Sequence, residues 1–106
     1  MPALFGSQIR SDALVAIARL GMTYATELAR LFKRRPIEFQ RAIASLERAG
    51  VVATRRLGRV RIAQMEPRFP ESAELYTFLL RMSERPNYAG RWTKVRRRPR
   101  AMGKAL

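Results

Sequence analysis

Residues 36–65 permit few folds. They read PIEFQRAIASLERAG and then, with no linker, VVATRRLGRVRIAQM. Pro36 sits where proline is best tolerated, at the first position of a helix. Phe39, Ala42, Ile43 and Leu46 recur at helical spacing, and Gly50 is placed as the left-handed residue that ends the helix. The spacing predicts a helix over 36–49 that passes directly into two short strands, 51–56 and 59–64. Leu57-Gly58 between them fits a two-residue turn with glycine second, a type I′ geometry in which leucine is an awkward first residue. In that register Val51, Ala53, Val60 and Ile62 share one face with Arg55, while Thr54, Arg56, Arg59 and Arg61 occupy the other. One side is expected to look inward and the other to form a basic comb, an assignment that a one-residue slip would reverse.

The comb has no counter-charge. Between Val51 and Met65 stand Arg55, Arg56, Arg59 and Arg61 and no acid. Like charges on facing strands repel, so such a hairpin either carries an electrostatic cost or meets a polyanion. The whole chain favours the polyanion, with 22 Lys and Arg against 8 Asp and Glu, a net charge of +14 and a pI near 11.8. The positive charge is also uneven. After Asn87 come Arg91, Lys94, Arg96, Arg97, Arg98, Arg100 and Lys104 with no acid among them. Nucleic acid is the first partner such a balance suggests.

Composition excludes other classes. The chain has no Cys and no His, which removes thiolate chemistry and leaves only carboxylates for a transition metal. Its 8 acids show no ligand spacing, so no metal and no cofactor is expected. With a single Asp and no glycine-rich phosphate loop, an enzyme is not expected either. The longest apolar runs fall far short of the roughly 20 residues that span a bilayer, so no membrane partner is expected. No signal peptide is visible at MPALFGSQIR, and the expected location is cytoplasmic, with the nucleoid.

The 106 residues suffice for one domain with a modest core. Residues 7–20 read as a helix stopped by Gly21, with Leu14 and Val15 adding a second apolar strip. Met22-Thr23-Tyr24 is β-prone and suits a one-rung strand. Residues 26–33 form a short second helix facing Leu28, Leu31 and Phe32 inward, with Glu27 in the first turn where the helix dipole favours an acid. Lys33-Arg34-Arg35 makes a basic turn. Glu66-Pro67-Arg68-Phe69-Pro70 is a rigid connector, and 71–84 a further helix, acidic at its start, basic at its end and apolar over more than half its circumference. Pro86 ends it. Residues 1–86 thus form one domain and 87–106 a basic arm, expected to be largely unstructured when alone. Tyr88 and Trp92 in that arm either fold back onto the body or stack on bases.

Two helices joined by a tight turn and followed by a two-stranded wing make a mainly α fold with a small β-hairpin, the winged helix-turn-helix. A helix fits the major groove of B-DNA, and a wing can lie along the backbone or in the minor groove. Gln40, Arg41 and Ser45 are the expected base readers, the alternative being a solvated helix face. Glu38 either accepts from cytosine or pairs with Arg35 or Arg41. Arg34 and Arg35 suit phosphates, as do Arg56, Arg59 and Arg61. Arg55 is ambiguous, because its expected face is the apolar one.

The chain also resembles the ArsR-type winged-helix transcriptional regulators, in their metal-independent branch. The resemblance lies in Leu4-Phe5-Gly6-Ser7 with Arg10 and Leu14, in YATELARL from Tyr24, and in Phe39-Gln40-Arg41-Ala42-Ile43. It continues through Leu46-Glu47-Arg48-Ala49-Gly50-Val51-Val52, Gly58-Arg59-Val60, Pro67-Arg68-Phe69-Pro70 and Glu74-Leu75. It implies a homodimer on a two-fold symmetric double-stranded DNA site, joined through the first and last helices. Leu14, Tyr76, Phe78 and Leu79 are then the interface candidates, with the core the first reading for Leu79. The metal-sensing members use Cys and His, which this chain lacks. A sequence-specific transcriptional regulator is the function expected. The alternative is a sequence-independent RNA-binding or architectural DNA-binding protein that uses the basic arm.

Overall fold

The computed structural model describes residues 6–94. Leu4, Phe5 and the arm cations Arg96, Arg97, Arg98, Arg100 and Lys104 lie outside them. The elements run α1 (Gln8–Leu20), α2 (Ala25–Phe32), α3 (Pro36–Arg48), β1 (Val52–Leu57), β2 (Val60–Met65), α4 (Ser72–Ser83), a single turn α5 (Pro86–Ala89) and a 3-10 turn (Trp92–Lys94). This is the winged helix-turn-helix, mainly α with one antiparallel hairpin.

Local chemistry sets the boundaries. Ser7 caps α1, its Oγ accepting from the Arg10 N–H at 3.1 Å. Gly50 closes α3 at φ 83°, with the Gly50 N–H donating to Glu47 O at 3.0 Å and the Val51 N–H to Leu46 O at 3.1 Å. Those two bonds are the Schellman pair, and they turn the chain straight into the hairpin. Lys33 ends α2 at φ 57°, the one non-glycine residue with positive φ among those described.

The core gathers around α1. Residues 11–18 are all buried, packed by α3 and α4 on their flanks and by β2. The second apolar strip on α1 is therefore used within the chain itself. Phe39, Ala42, Ile43 and Leu46 face it from α3, and Leu28, Leu31 and Phe32 from α2, as their spacing predicts. Leu79 and Met82 contribute from α4, whereas Tyr76 and Phe78 stay 43% and 42% exposed.

The hairpin pairs Val52 with Met65, Thr54 with Ala63, Arg56 with Arg61 and Leu57 with Val60. The turn is Gly58-Arg59, one residue later than the sequence suggests. Gly58 has φ 64° and Arg59 has no positive φ, which is the type II′ pattern with glycine first and leaves Leu57 in the strand. The pairing has moved by two residues, so the expected face groupings survive. The inward side is nevertheless the opposite one. Val52 and Ala63, on the same face as Thr54, Arg56 and Arg61, are 2% and 0% exposed, while Leu57 and Val60 on the other face are open. The comb face is apolar at its root, where it meets the core, and basic at its tip. An isolated hairpin is marginal in water. This one is anchored by a third rung, the bridge of Thr23 with Ala63, whose two bonds measure 3.1 and 2.8 Å.

The connector leads into α4, which stops before Pro86. The chain then turns back. Tyr88 is 2% exposed, and its hydroxyl donates to Asp12 Oδ1 at 2.8 Å. Trp92 stacks on Tyr88 at 6.5 Å between centroids and donates its indole N–H to Ser83 O at 2.8 Å. The first part of the expected arm, 87–94, is thus packed on the body, because its two aromatic rings find apolar partners there.

Candidate nucleic-acid interface

Because α3 ends where β1 begins, the helix and the wing share a corner. Between them lies an open cleft of about 690 Å³ lined by Tyr24, Ala25 and Thr26 from the start of α2, Gln40, Ile43, Ala44 and Glu47 from α3, and Arg56, Arg59, Val60 and Arg61 from the wing. The helical spacing 40, 44, 47 turns one stripe of α3 toward the wing. Ile37, Arg41 and Arg48 lie one step around the same helix and are all exposed. Ser45 is half-buried and does not line the cleft.

The wing divides its arginines. Arg56 and Arg61 are directly paired and share the cleft face, with Arg59 in the turn above them. Arg55 pairs with Ile62 on the opposite face, and its guanidinium reaches Met22 Sδ at 3.9 Å. Arg55 therefore does not join the other three.

One network was not legible in the sequence. The Thr54 hydroxyl donates to Glu47 Oε2 at 2.8 Å and accepts from Arg61 Nη1 at 2.9 Å. Helix α3 thus holds the wing, and the position of Arg61, through one hydroxyl. The signal that could have found it is the position of Glu47, seven residues after Gln40 and on the same stripe, just before the glycine that starts the wing.

At the other end of α3 the charges are paired. Glu38 Oε1 accepts from Arg34 Nη1 at 3.0 Å, and Glu38 Oε2 lies 3.5 Å from Arg35 Nε. Burial disfavours the Glu38 carboxylate, but the hydrogen bonds and charges of Arg34 and Arg35 outweigh it and hold the carboxyl below its ordinary range. Glu38 thus pairs with Arg35, one of its expected partners, and also with Arg34; both arginines precede α3. Arg35 remains 80% exposed at its side chain, so the turn keeps free positive surface.

The interface candidates separate. Leu14 and Leu79 are 1% and 0% exposed inside the single chain. They belong to the core of the chain itself, because α1 is wrapped on several sides by its own chain. Tyr76 and Phe78 remain exposed on α4, on either flank of its buried side. No three His, Cys, Asp or Glu side chains come together as a metal-holding group among the described residues. None of the described helices is long and apolar enough to cross a membrane.

No family profile matches the chain, and no curated protein matches it in sequence. Solved structures do match in shape. The AntR antimony-specific transcriptional repressor superposes with a TM-score of 0.60 at 20% identity, over 76% of this chain and 71% of its own. A mutant of ZitR from Lactococcus lactis gives 0.59 at 12% identity, over 83% of this chain and 58% of its own. YusO from Bacillus subtilis gives 0.58 at 13% identity, over 91% of this chain and 67% of its own. At these identities the likeness is one of fold.

Proposed function

We propose that this chain is a double-stranded DNA-binding transcriptional regulator of the metal-independent ArsR type that acts as a homodimer. The observation that carries the reading is the shared cleft. The polar stripe of α3 and the cationic tip of the wing open onto one side of the molecule, the arrangement that lets a helix enter the major groove while a hairpin meets phosphates. The repressor named among the structural neighbours supports the regulatory part. In this reading Arg41 and Gln40 read base edges, since Arg can bond guanine and Gln adenine bidentately. Ser45 supplies a hydroxyl near them. Arg56, Arg59 and Arg61 neutralise backbone phosphates, with Arg34 and Arg35 doing so at the start of α3. Tyr76 and Phe78 join two subunits.

Selection of bound duplexes from a random pool tests this. The wild type is expected to return an inverted repeat. Arg41→Ala is expected to lose that preference, and Arg56→Ala with Arg59→Ala to lose affinity nearly uniformly across sequences. No sequence preference at physiological salt would remove the sequence-specific reading in favour of architectural or RNA binding.

A further inference from the structure

Helix α3 keeps one large apolar side chain outside the core. Phe39, Ile43 and Leu46 are buried, whereas Ile37 is 40% exposed. It is the second residue of the helix, after Pro36, which is exposed as well. A lone exposed isoleucine carries no meaning on its own. The position of this one does. Arg41 lies four residues on, one turn further along the same stripe, and Arg48 two turns beyond that, both exposed. Ile37 therefore opens the line of side chains in which Arg41 is the expected base reader.

The surroundings of Ile37 are cationic. Lys33, Arg34 and Arg35 precede it and are exposed. The neighbouring acid, Glu38, is held by Arg34 at 3.0 Å and by Arg35 at 3.5 Å, which balances its charge. Arg91 adds a further cation beside this turn. Its guanidinium lies 4.6 Å over the ring of Phe32, the last residue of α2, and Trp92 packs edge-on against the same ring at 6.4 Å. Pro36 and Ile37 thus form a small apolar island with positive charge around it. Its complement is a surface that is anionic at the rim and presents an apolar group within. The major groove offers that combination where phosphates flank the C5-methyl of a thymine. Isoleucine suits such a contact, since branching at Cβ leaves it few rotamers to lose. Cytosine presents an amino donor there and guanine two acceptors, neither of which an isoleucine can satisfy.

We infer that Ile37 is a specificity-determining residue that covers a thymine methyl in the major groove, next to the base read by Arg41. This rests on the DNA-binding reading above and assigns the base type at one position of the site. Arg41 supplies a directional polar contact and Ile37 an apolar one. The second distinguishes an A·T pair from a G·C pair without a further hydrogen bond.

Uracil tests this, because it lacks only that methyl and pairs in the same way. The full chain is titrated against the duplex it selects from the random pool, with uracil placed at one thymine position at a time in both half-sites. Ile37→Ala and Ile37→Val are titrated beside it, and thermal unfolding checks that each is folded. At one thymine position the wild type is expected to lose about fourfold per methyl removed, the worth of one apolar carbon returned to water. Ile37→Ala is expected to bind the thymine duplex more weakly and to ignore uracil at that position. Its salt slope is expected to match the wild type, since no charge has changed. Ile37→Val is expected to keep the uracil response. A uracil response in Ile37→Ala equal to that of the wild type overturns the inference. So does a wild type indifferent to uracil at every position. In either case a loss of preference in Arg41→Ala leaves the regulator reading standing. Failure of the pool to return any preferred duplex strikes at that reading itself, and the inference falls with it.

Discussion

Thr54 shows how much can rest on one hydroxyl. It donates a hydrogen bond to Glu47 and accepts one from Arg61, so it orients both. Its replacement by valine keeps the shape and removes the relay. Because both bonds are open to solvent, the stability cost is expected to stay under about 1 kcal/mol. DNA affinity is expected to fall several-fold as Arg61 loses its orientation, and Thr54→Ser to restore it. Equal affinities of Thr54→Val and wild type in anisotropy titrations would rule the relay out. Gly50 makes a different case. A Cβ there meets nothing within 4 Å, so Gly50→Ala costs only the positive φ. About 1–2 kcal/mol is expected in urea unfolding. Tyr88 adds a dependence on pH. Burial first, and then its bond to Asp12, raise the Tyr88 hydroxyl far above the ordinary value of 10.0. The neutral form is the one the fold prefers. Its contribution is complete below pH 10 and is lost as pH climbs toward the raised folded value. Stability is expected to fall through that alkaline range, and to fall less steeply in Tyr88→Phe.

Among the elements, α1 and α4 part company. Both read as too apolar for a one-sided surface helix. The excess on α1 is consumed by α3, α4 and the root of the wing, which is why Leu14 is core. Helix α4 covers α1 with Leu79 and Met82 and leaves Tyr76 and Phe78 outside. The buried and the exposed side chains should respond differently to substitution. Leu79→Ala is expected to cost about 2–5 kcal/mol of folding stability, as buried leucines do. Tyr76→Ser with Phe78→Ser is expected to leave the unfolding midpoint of the monomer nearly unchanged and to abolish self-association in sedimentation. A double variant that still sediments as a dimer would move the interface elsewhere.

For the molecule as a whole, positive charge among the described residues stands at both ends of α3. The wing stands at one end of that helix, and the basic turn with the back-folded segment at the other. Affinity for duplex DNA is therefore expected to fall steeply with salt, with a slope set by how many of these cations meet phosphates. A nearly flat dependence in anisotropy titrations would show that the charge serves something other than a polyanion.

The helices were legible because they depend on local rules. The glycine ending α3, the proline starting it and the 3.6-residue spacing of Phe39, Ala42, Ile43 and Leu46 act within a few residues. An excess of arginine on a short hairpin needs no tertiary knowledge to read. Which side of the wing faces the body was settled by Val52 and Ala63, whose burial depends on where α1 and Thr23 lie. The same long-range packing took Leu14 and Leu79 into the core, separated Arg55 from Arg56 and Arg61, and brought Glu47 to Thr54. It also folded Tyr88 and Trp92 onto α1 and α2, across 76 residues in the Asp12–Tyr88 pair. Spacing along the chain carries the first kind of information. The second depends on which surfaces compete for the same interior, and the sequence encodes that only through the packed whole.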